Sequence, residues 1–258
     1  MKKRNKLALA ILAIFYVSFG AFLTLYQDNI VYYPNSQDFV SCVDFQSEEK
    51  IDFKGTRMYL KDTNKPTIVL YHGNAGSACD RSFYADIFTQ AGYGYIIIEY
   101  AGYSNDLRKP THDLIKNDAQ NVLEYIKENH ISNITVVGES IGTGVASYHV
   151  SLDQPDKLLL ISPFTNLTDV AKNRFWFYPT SMLVDNAFDS VIFLSQYQNP
   201  TTIIHGNKDS IIPYKLGREL FESLKTEKEF ITVDGAGHND LFSYPEMYTA
   251  VTDFLKSN

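Results

Sequence analysis

Six short runs in this chain are apolar at almost every position: "TIVLY" (67 to 71), "YIIIEY" (95 to 100), "ITVVG" (134 to 138), "LLLIS" (158 to 162), "TTIIH" (201 to 205) and "EFITVD" (229 to 234). Between and after them lie helix patterns at 79 to 91, 113 to 129, 141 to 151, 213 to 225 and 243 to 256. A run that is apolar throughout suits a strand covered on both faces, and strict strand-helix alternation implies crossovers and parallel pairing. The pattern therefore predicts an α/β fold, a mostly parallel sheet with helices on both faces. At 258 residues and 45% hydrophobic content, the chain is long enough for one large core. Residues 39 to 61 read as one or two early strands around a turn at Lys54-Gly55. The one long interruption, 164 to 199, reads as a small helical cap, since a structureless loop of that length is uncommon in a compact domain.

In sheets of this kind ligands gather at the carboxyl ends of the strands, so the residues just after each run carry the interest. The strand "ITVVG" breaks into Gly138-Glu139-Ser140-Ile141-Gly142 and then a helix rich in small residues. A serine in a sharp strand-to-helix turn projects its hydroxyl from the sheet edge, and glycines two residues either side leave room for the turn. A serine hydroxyl near neutrality needs a base, and the base needs a carboxylate to orient it. Asp209 follows one strand in "TTIIHGNKDSIIP", and His238 follows the last in "ITVDGAGHNDL". The order Ser140, Asp209, His238 matches the hydrolase order of serine first and histidine last. For the oxyanion formed in acyl transfer, the backbone N–H of Ile141 is one donor. The loop "HGNAGS" supplies the second, assigned to Asn74 with Ala75 as its neighbouring alternative.

Plainer readings exist for each residue. Ser140 could be a structural turn serine, Asp209 could cap a helix starting near Pro213, and His238 could be a loop histidine. Asp185 and Asp189 are less well placed, within the cap. His72 and His205 read as packing or loop-tethering residues. His112, His130 and His149 read as solvated, on helices or their ends. No pair of histidines has a metal-ligand spacing with a carboxylate, so no metal is assigned, and the acyl-transfer chemistry calls for no cofactor.

On "YHGNAGS", "GESIGTG", "HGNKDSIIP" and "GAGHNDL" the chain resembles the α/β-hydrolase superfamily over roughly residues 30 to 256. It is most similar to the short-capped, membrane-anchored branch, whose members include protein depalmitoylases and lipases acting on lysophospholipids. The chain departs from that branch at Thr143, where a glycine is common, and in "EYAGYSNDL", where Ser104 replaces a glycine. The resemblance implies a serine hydrolase cleaving ester or thioester bonds through an acyl-enzyme, with an acyl substrate that can be lipid-derived. It also suggests an acyl pocket under the cap, for which Phe175, Trp176, Phe177 and Tyr178 are candidates. Two alternatives are a serine peptidase of the same fold and a non-catalytic, membrane-anchored binding module. The first would call for a long amino-terminal propeller or a large lid, and the second usually loses the serine or the histidine.

Residues 7 to 26, "LALAILAIFYVSFGAFLTLY", contain no charge and as a helix measure roughly 30 Å, one hydrocarbon core. They follow a basic tail, residues 1 to 6, with Lys2, Lys3, Arg4 and Lys6. A cleaved signal peptide is the rival, with Ser18 and Gly20 as small residues. The apolar run continues through Phe22, Leu23 and Leu25, where a cleavable signal turns polar. The reading is a transmembrane anchor with the amino terminus cytoplasmic and residues 27 to 258, the hydrolase domain, on the extracytoplasmic side. A polar and aromatic neck, 27 to 37, joins the two. Without the basic tail, 19 basic face 30 acidic residues, so the body repels phosphate backbones and nucleic acid is excluded as a partner. Cys42 and Cys79, the only cysteines, are either one bridge or two free thiols.

Overall fold

The computed structural model describes residues 3 to 257; Met1 and Lys2 of the basic tail and Asn258 lie outside the described residues. The body is built on one eight-stranded sheet of β1 (Lys50–Phe53), β2 (Thr56–Lys61), β3 (Thr67–Tyr71), β4 (Gly94–Glu99), β5 (Ile134–Glu139), β6 (Lys157–Ile161), β7 (Thr201–Gly206) and β8 (Lys228–Val233). Their order is β1-β2-β4-β3-β5-β6-β7-β8. β2 is antiparallel to β1 and β4, and every other pairing is parallel. Phe53 pairs with Thr56, which leaves Lys54 and Gly55, both at positive φ, as a two-residue hairpin turn whose twist matches the strands.

Helices cover both faces: α3 (Phe83–Gln90), α4 (His112–Glu128), α5 (Ile141–Leu152), α9 (Tyr214–Ser223) and α10 (Pro245–Lys256). Side chains alternate along each strand, so Val69 and Tyr71 join the core under α4, α5 and α9, while Ile68 and Leu70 join the one under α3 and α10. This is why the strands read as continuous apolar runs. α4 starts where Thr111 accepts a hydrogen bond from the Leu114 N–H, a cap worth about 1 kcal/mol. The insertion after β6 is helical, with α6 (Leu167–Arg174), α7 (Thr180–Leu183) and α8 (Ser190–Phe193).

The amino-terminal helix α1 (Lys3–Leu25) is longer than the uncharged run, because Lys3, Arg4 and Lys6 join the helix. Its span Arg4–Leu25 has a mean hydropathy of 2.3 and is 6% buried, the one helix among the described residues long and apolar enough to cross a membrane. The neck is partly helical, as α2 (Gln27–Val31).

Two readings of polar residues change. His112 and His149 are buried rather than solvated, because each side chain turns inward to a tyrosine hydroxyl: Tyr32 for His112, and Tyr71 at 2.7 Å for His149. His130 is exposed. Cys42 and Cys79 form a disulfide, joining the loop before β1 to the segment after β3.

Candidate active site

Ser140 lies between β5 and α5 with φ 54 and ψ −121, left-handed backbone that an L-residue rarely adopts. The neighbouring glycines make this turn possible. A Cβ on Gly142 would sit 2.1 Å from the Tyr71 carbonyl oxygen, and one on Gly138 2.7 Å from the Gly142 carbonyl oxygen. β3 and β5 are adjacent, with Tyr71 paired to Gly138, so the loop after β3 runs beside the serine turn.

Ser140 Oγ lies 2.8 Å from His238 Nε2, and His238 Nδ1–H donates to Asp209 Oδ2 over 2.6 Å. Asp209 Oδ1 accepts from the Ile211 and Ile212 N–H groups at 2.9 and 2.8 Å. His205 Nε2 lies 3.3 Å from Asp209 Oδ2 and donates to the Ile212 carbonyl over 3.0 Å, so it holds the loop as the tethering reading expected. Burial pushes the Asp209 carboxyl up, but hydrogen bonds from His205 and His238 outweigh it and hold the group well below the usual carboxylate range. Asp209 is thus an ionised, fixed acceptor at neutral pH. It caps no helix, since the residue before α9 is Pro213. Asp189 instead caps α8 by accepting from the Ile192 N–H, and Asp185 is exposed.

Asn74 is held by its side chain: its Oδ1 accepts from the Tyr33 N–H at 2.8 Å and the Tyr103 hydroxyl at 2.9 Å. Its own backbone N–H donates to no group among the described residues. Ile141 is the first residue of α5, where backbone N–H groups have no partner within the helix. Both N–H groups are therefore without a partner among the described residues.

Several residues that support this site gave no signal in the sequence. Arg81 Nε and Nη2 donate to Glu139 Oε1 at 3.3 Å, and Nη2 also donates to the Ala75 carbonyl at 3.2 Å. One guanidinium therefore joins the serine turn to the loop carrying Asn74. The neck lies along the same loop, with Pro34 bridged to Gly76 and Asn35 Nδ2 donating to Asp80 Oδ2 over 2.7 Å. Beneath it, Glu99 is buried and its Oε2 accepts from the Ser104 hydroxyl at 2.8 Å and the Ala78 N–H at 3.1 Å. Ser104 takes φ 48 at the position where a glycine was expected, and its hydroxyl makes use of that geometry. Burial raises Glu99 to about 7 and lowers the facing His72 to about 3. No single spacing marks these contacts, because each joins segments far apart in sequence.

No hydrogen bond or ring contact joins Phe175, Trp176, Phe177 or Tyr178 to Ser140, Asp209 or His238 among the described residues. Tyr178 is buried against α1, its ring 4.4 Å from that of Tyr16, while Trp176 and Phe177 are 79% and 48% exposed. Trp176 lines an open pocket of about 440 Å³ with Lys172, Lys215 and Glu219, none of them in the serine-histidine-aspartate array.

An esterase from Pyrococcus furiosus superposes with a TM-score of 0.68 at 16% identity, over 88% of this chain and 97% of its own. The chain has the α/β-hydrolase fold. No protein-family profile matches the chain. By sequence it is 29% identical to lysophosphatidylserine lipase ABHD12 of Xenopus tropicalis over 75% of this chain, and 27% identical to protein bem46 of Schizosaccharomyces pombe over 97%. The match covers 58% of the Xenopus lipase and 92% of bem46.

Proposed function

We propose that this chain is a membrane-anchored serine hydrolase that cleaves a carboxylic ester or thioester through an acyl-enzyme. The observation that carries this is the continuous array Ser140 Oγ, His238 Nε2, His238 Nδ1 and Asp209 Oδ2, with contacts of 2.8 and 2.6 Å. Ser140 attacks the substrate carbonyl as His238 takes its proton. Asp209, kept ionised, holds the imidazole and stabilises its cation. The Ile141 and Asn74 N–H groups receive the oxyanion. The tetrahedral adduct collapses, and the leaving alcohol or thiol departs with the proton from His238. Water, deprotonated by the same histidine, then attacks the acyl-Ser140 ester and frees the acid. The array works alike on an oxygen or a sulfur leaving group. A lysophospholipid-type acyl ester is favoured by the similarity to the lysophosphatidylserine lipase.

The apolar α1 serves as the anchor, with Arg4 and Lys6 at its cytoplasmic end. The Cys42–Cys79 disulfide supports an extracytoplasmic body, because such bonds persist in oxidising compartments. An intact array weighs against a non-catalytic module, and the small cap against a peptidase. A serine-directed fluorophosphonate is expected to label the wild type and not Ser140→Ala, with p-nitrophenyl esters turned over by the wild type alone. Equal labelling of the two proteins would refute the proposal.

A further inference from the structure

The cap is fastened to the anchor. The Tyr16 hydroxyl donates to the Phe177 carbonyl over 2.7 Å, and the Tyr178 hydroxyl donates back to the Tyr16 carbonyl over 2.8 Å. Phe19 packs on the Tyr178 ring at 6.1 Å, and a Cβ on Gly20 would sit 3.0 Å from Tyr178 Cε1 and 3.6 Å from Leu183 Cδ1. At the far end, the Asp185 N–H donates to Gln27 Oε1 over 2.9 Å. Residues 177 to 185 therefore lie along α1 from Tyr16 to its end.

That contact constrains where the bilayer begins. Tyr16 is ten residues before Tyr26, roughly 15 Å along the helix, which is half of a hydrocarbon core about 30 Å thick. Were the cap kept in water, the apolar helix left for the membrane would be Leu7 to Phe15, roughly 14 Å, too short to cross. The same arrangement would leave Val17, Phe22 and Leu25, which are 68%, 48% and 79% exposed, facing water. The outward side of the cap is apolar too, with Trp176 79%, Phe177 48% and Met182 82% exposed. Both hydroxyls and both carbonyls at the Tyr16–Tyr178 contact are paired with one another, which lowers the cost of placing them in hydrocarbon.

We infer that the cap tip, residues 175 to 184, enters the leaflet on the catalytic side, with Trp176, Phe177 and Met182 against lipid acyl chains. Because residues 177 to 185 lie along α1, the lipid chains that surround the anchor also reach the tip. Lys172 and Arg174, exposed in the last turn of α6, then border the patch at headgroup level. The aromatic cluster thus meets lipid as part of the membrane-embedded surface. This rests on α1 being the anchor.

Trp176 is the only tryptophan in the chain, so its fluorescence reports the tip directly. The full-length protein would be reconstituted in phosphatidylcholine vesicles with or without bromine near the middle of the acyl chains. The expected result is strong quenching by brominated lipid and little by aqueous iodide. The reverse pattern overturns the inference, and so does protection from both quenchers, which would mean that protein covers the tip. Extraction of the same vesicles with alkaline carbonate separates the causes. Release of the chain refutes the anchor itself, and retention with iodide-quenched Trp176 refutes only the immersed cap. Fluorophosphonate labelling of the sample reports the catalytic reading independently.

Discussion

Ser140 and Glu99 each hold a state that the surrounding chain must support. Ser140 sits at φ 54, a conformation costing on the order of 1 to 2 kcal/mol, and it persists because Gly138 and Gly142 let β3, β5 and α5 close around it. Glu99 is buried under the loop carrying Asn74, its Oε1 3.8 Å from His72 Nε2 and without a hydrogen-bond partner. His72 Nδ1–H donates to the Gly73 carbonyl, so its bare Nε2 faces a carboxyl whose protonated form burial favours. The folded pKa of about 7 lies above the unfolded value, so this stabilisation is complete below about pH 4.5 and fades as pH rises through 7. Glu99→Gln keeps the acceptor for Ser104 and Ala78 and cannot ionise. Its melting temperature is expected to match the wild type near pH 5 and to exceed it above pH 7, by at most about 3 kcal/mol in stability. Thermal denaturation across pH would reveal a constant difference if burial is not the cause. At this scale the sequence was legible where chemistry leaves an ordered signature, as with Ser140, Asp209 and His238. It was silent on Glu99, Arg81 and Glu139, whose partners are fixed only by the fold.

Among the elements, the neck is the least expected. It read as a polar and aromatic connector, yet residues 33 to 37 form a strip along the loop carrying Asn74. Its contacts are the Tyr33 N–H to Asn74 Oδ1, the Pro34 and Gly76 bridge, and Asn35 to Ser77 and Asp80. The strip therefore sets the position of the proposed oxyanion donor, where a 1 Å error can cost about 100-fold. A chain beginning at Gln27 is expected to keep its kcat on a soluble p-nitrophenyl ester. Removing residues up to Gln37, or Asn35→Ala in the full chain, should lower kcat far more than it raises KM. Equal kcat in all forms, with unchanged circular dichroism, would deny the strip this role. The six apolar runs predicted their strands to within a residue or so at each end; burial on both faces is written in the composition of five of them, while β8, at the sheet edge, is partly exposed. The strip was not predicted, because its contacts are one backbone bridge and a few bonds to distant polar side chains, which carry no periodicity.

For the molecule as a whole, α1 and the cap are fastened to each other beside the α/β body. Strand-helix alternation predicted the layered body and the extent of the cap. The docking of α1 on the cap was hidden, since an apolar helix reads the same whether lipid or Tyr178 covers it. The disulfide was equally open, as two cysteines alone carry no pairing information. Cys42 and Cys79 are 37 residues apart, a loop for which a crosslink contributes about 4 kcal/mol by restricting the unfolded chain. Cys42→Ser with Cys79→Ser is accordingly expected to lower the denaturation midpoint while leaving Ser140 reactive to fluorophosphonate. An unchanged midpoint would mean that the bond adds nothing.

The strand order gives that bond a temporal meaning as well. Both cysteines precede β4, and β4 is the strand that fits between β2 and β3. During synthesis the cysteines can be joined while β2 and β3 still stand a strand's width apart. An early crosslink would then hold a slot open at the sheet's centre, and the next stretch of chain to emerge is the one that fills it.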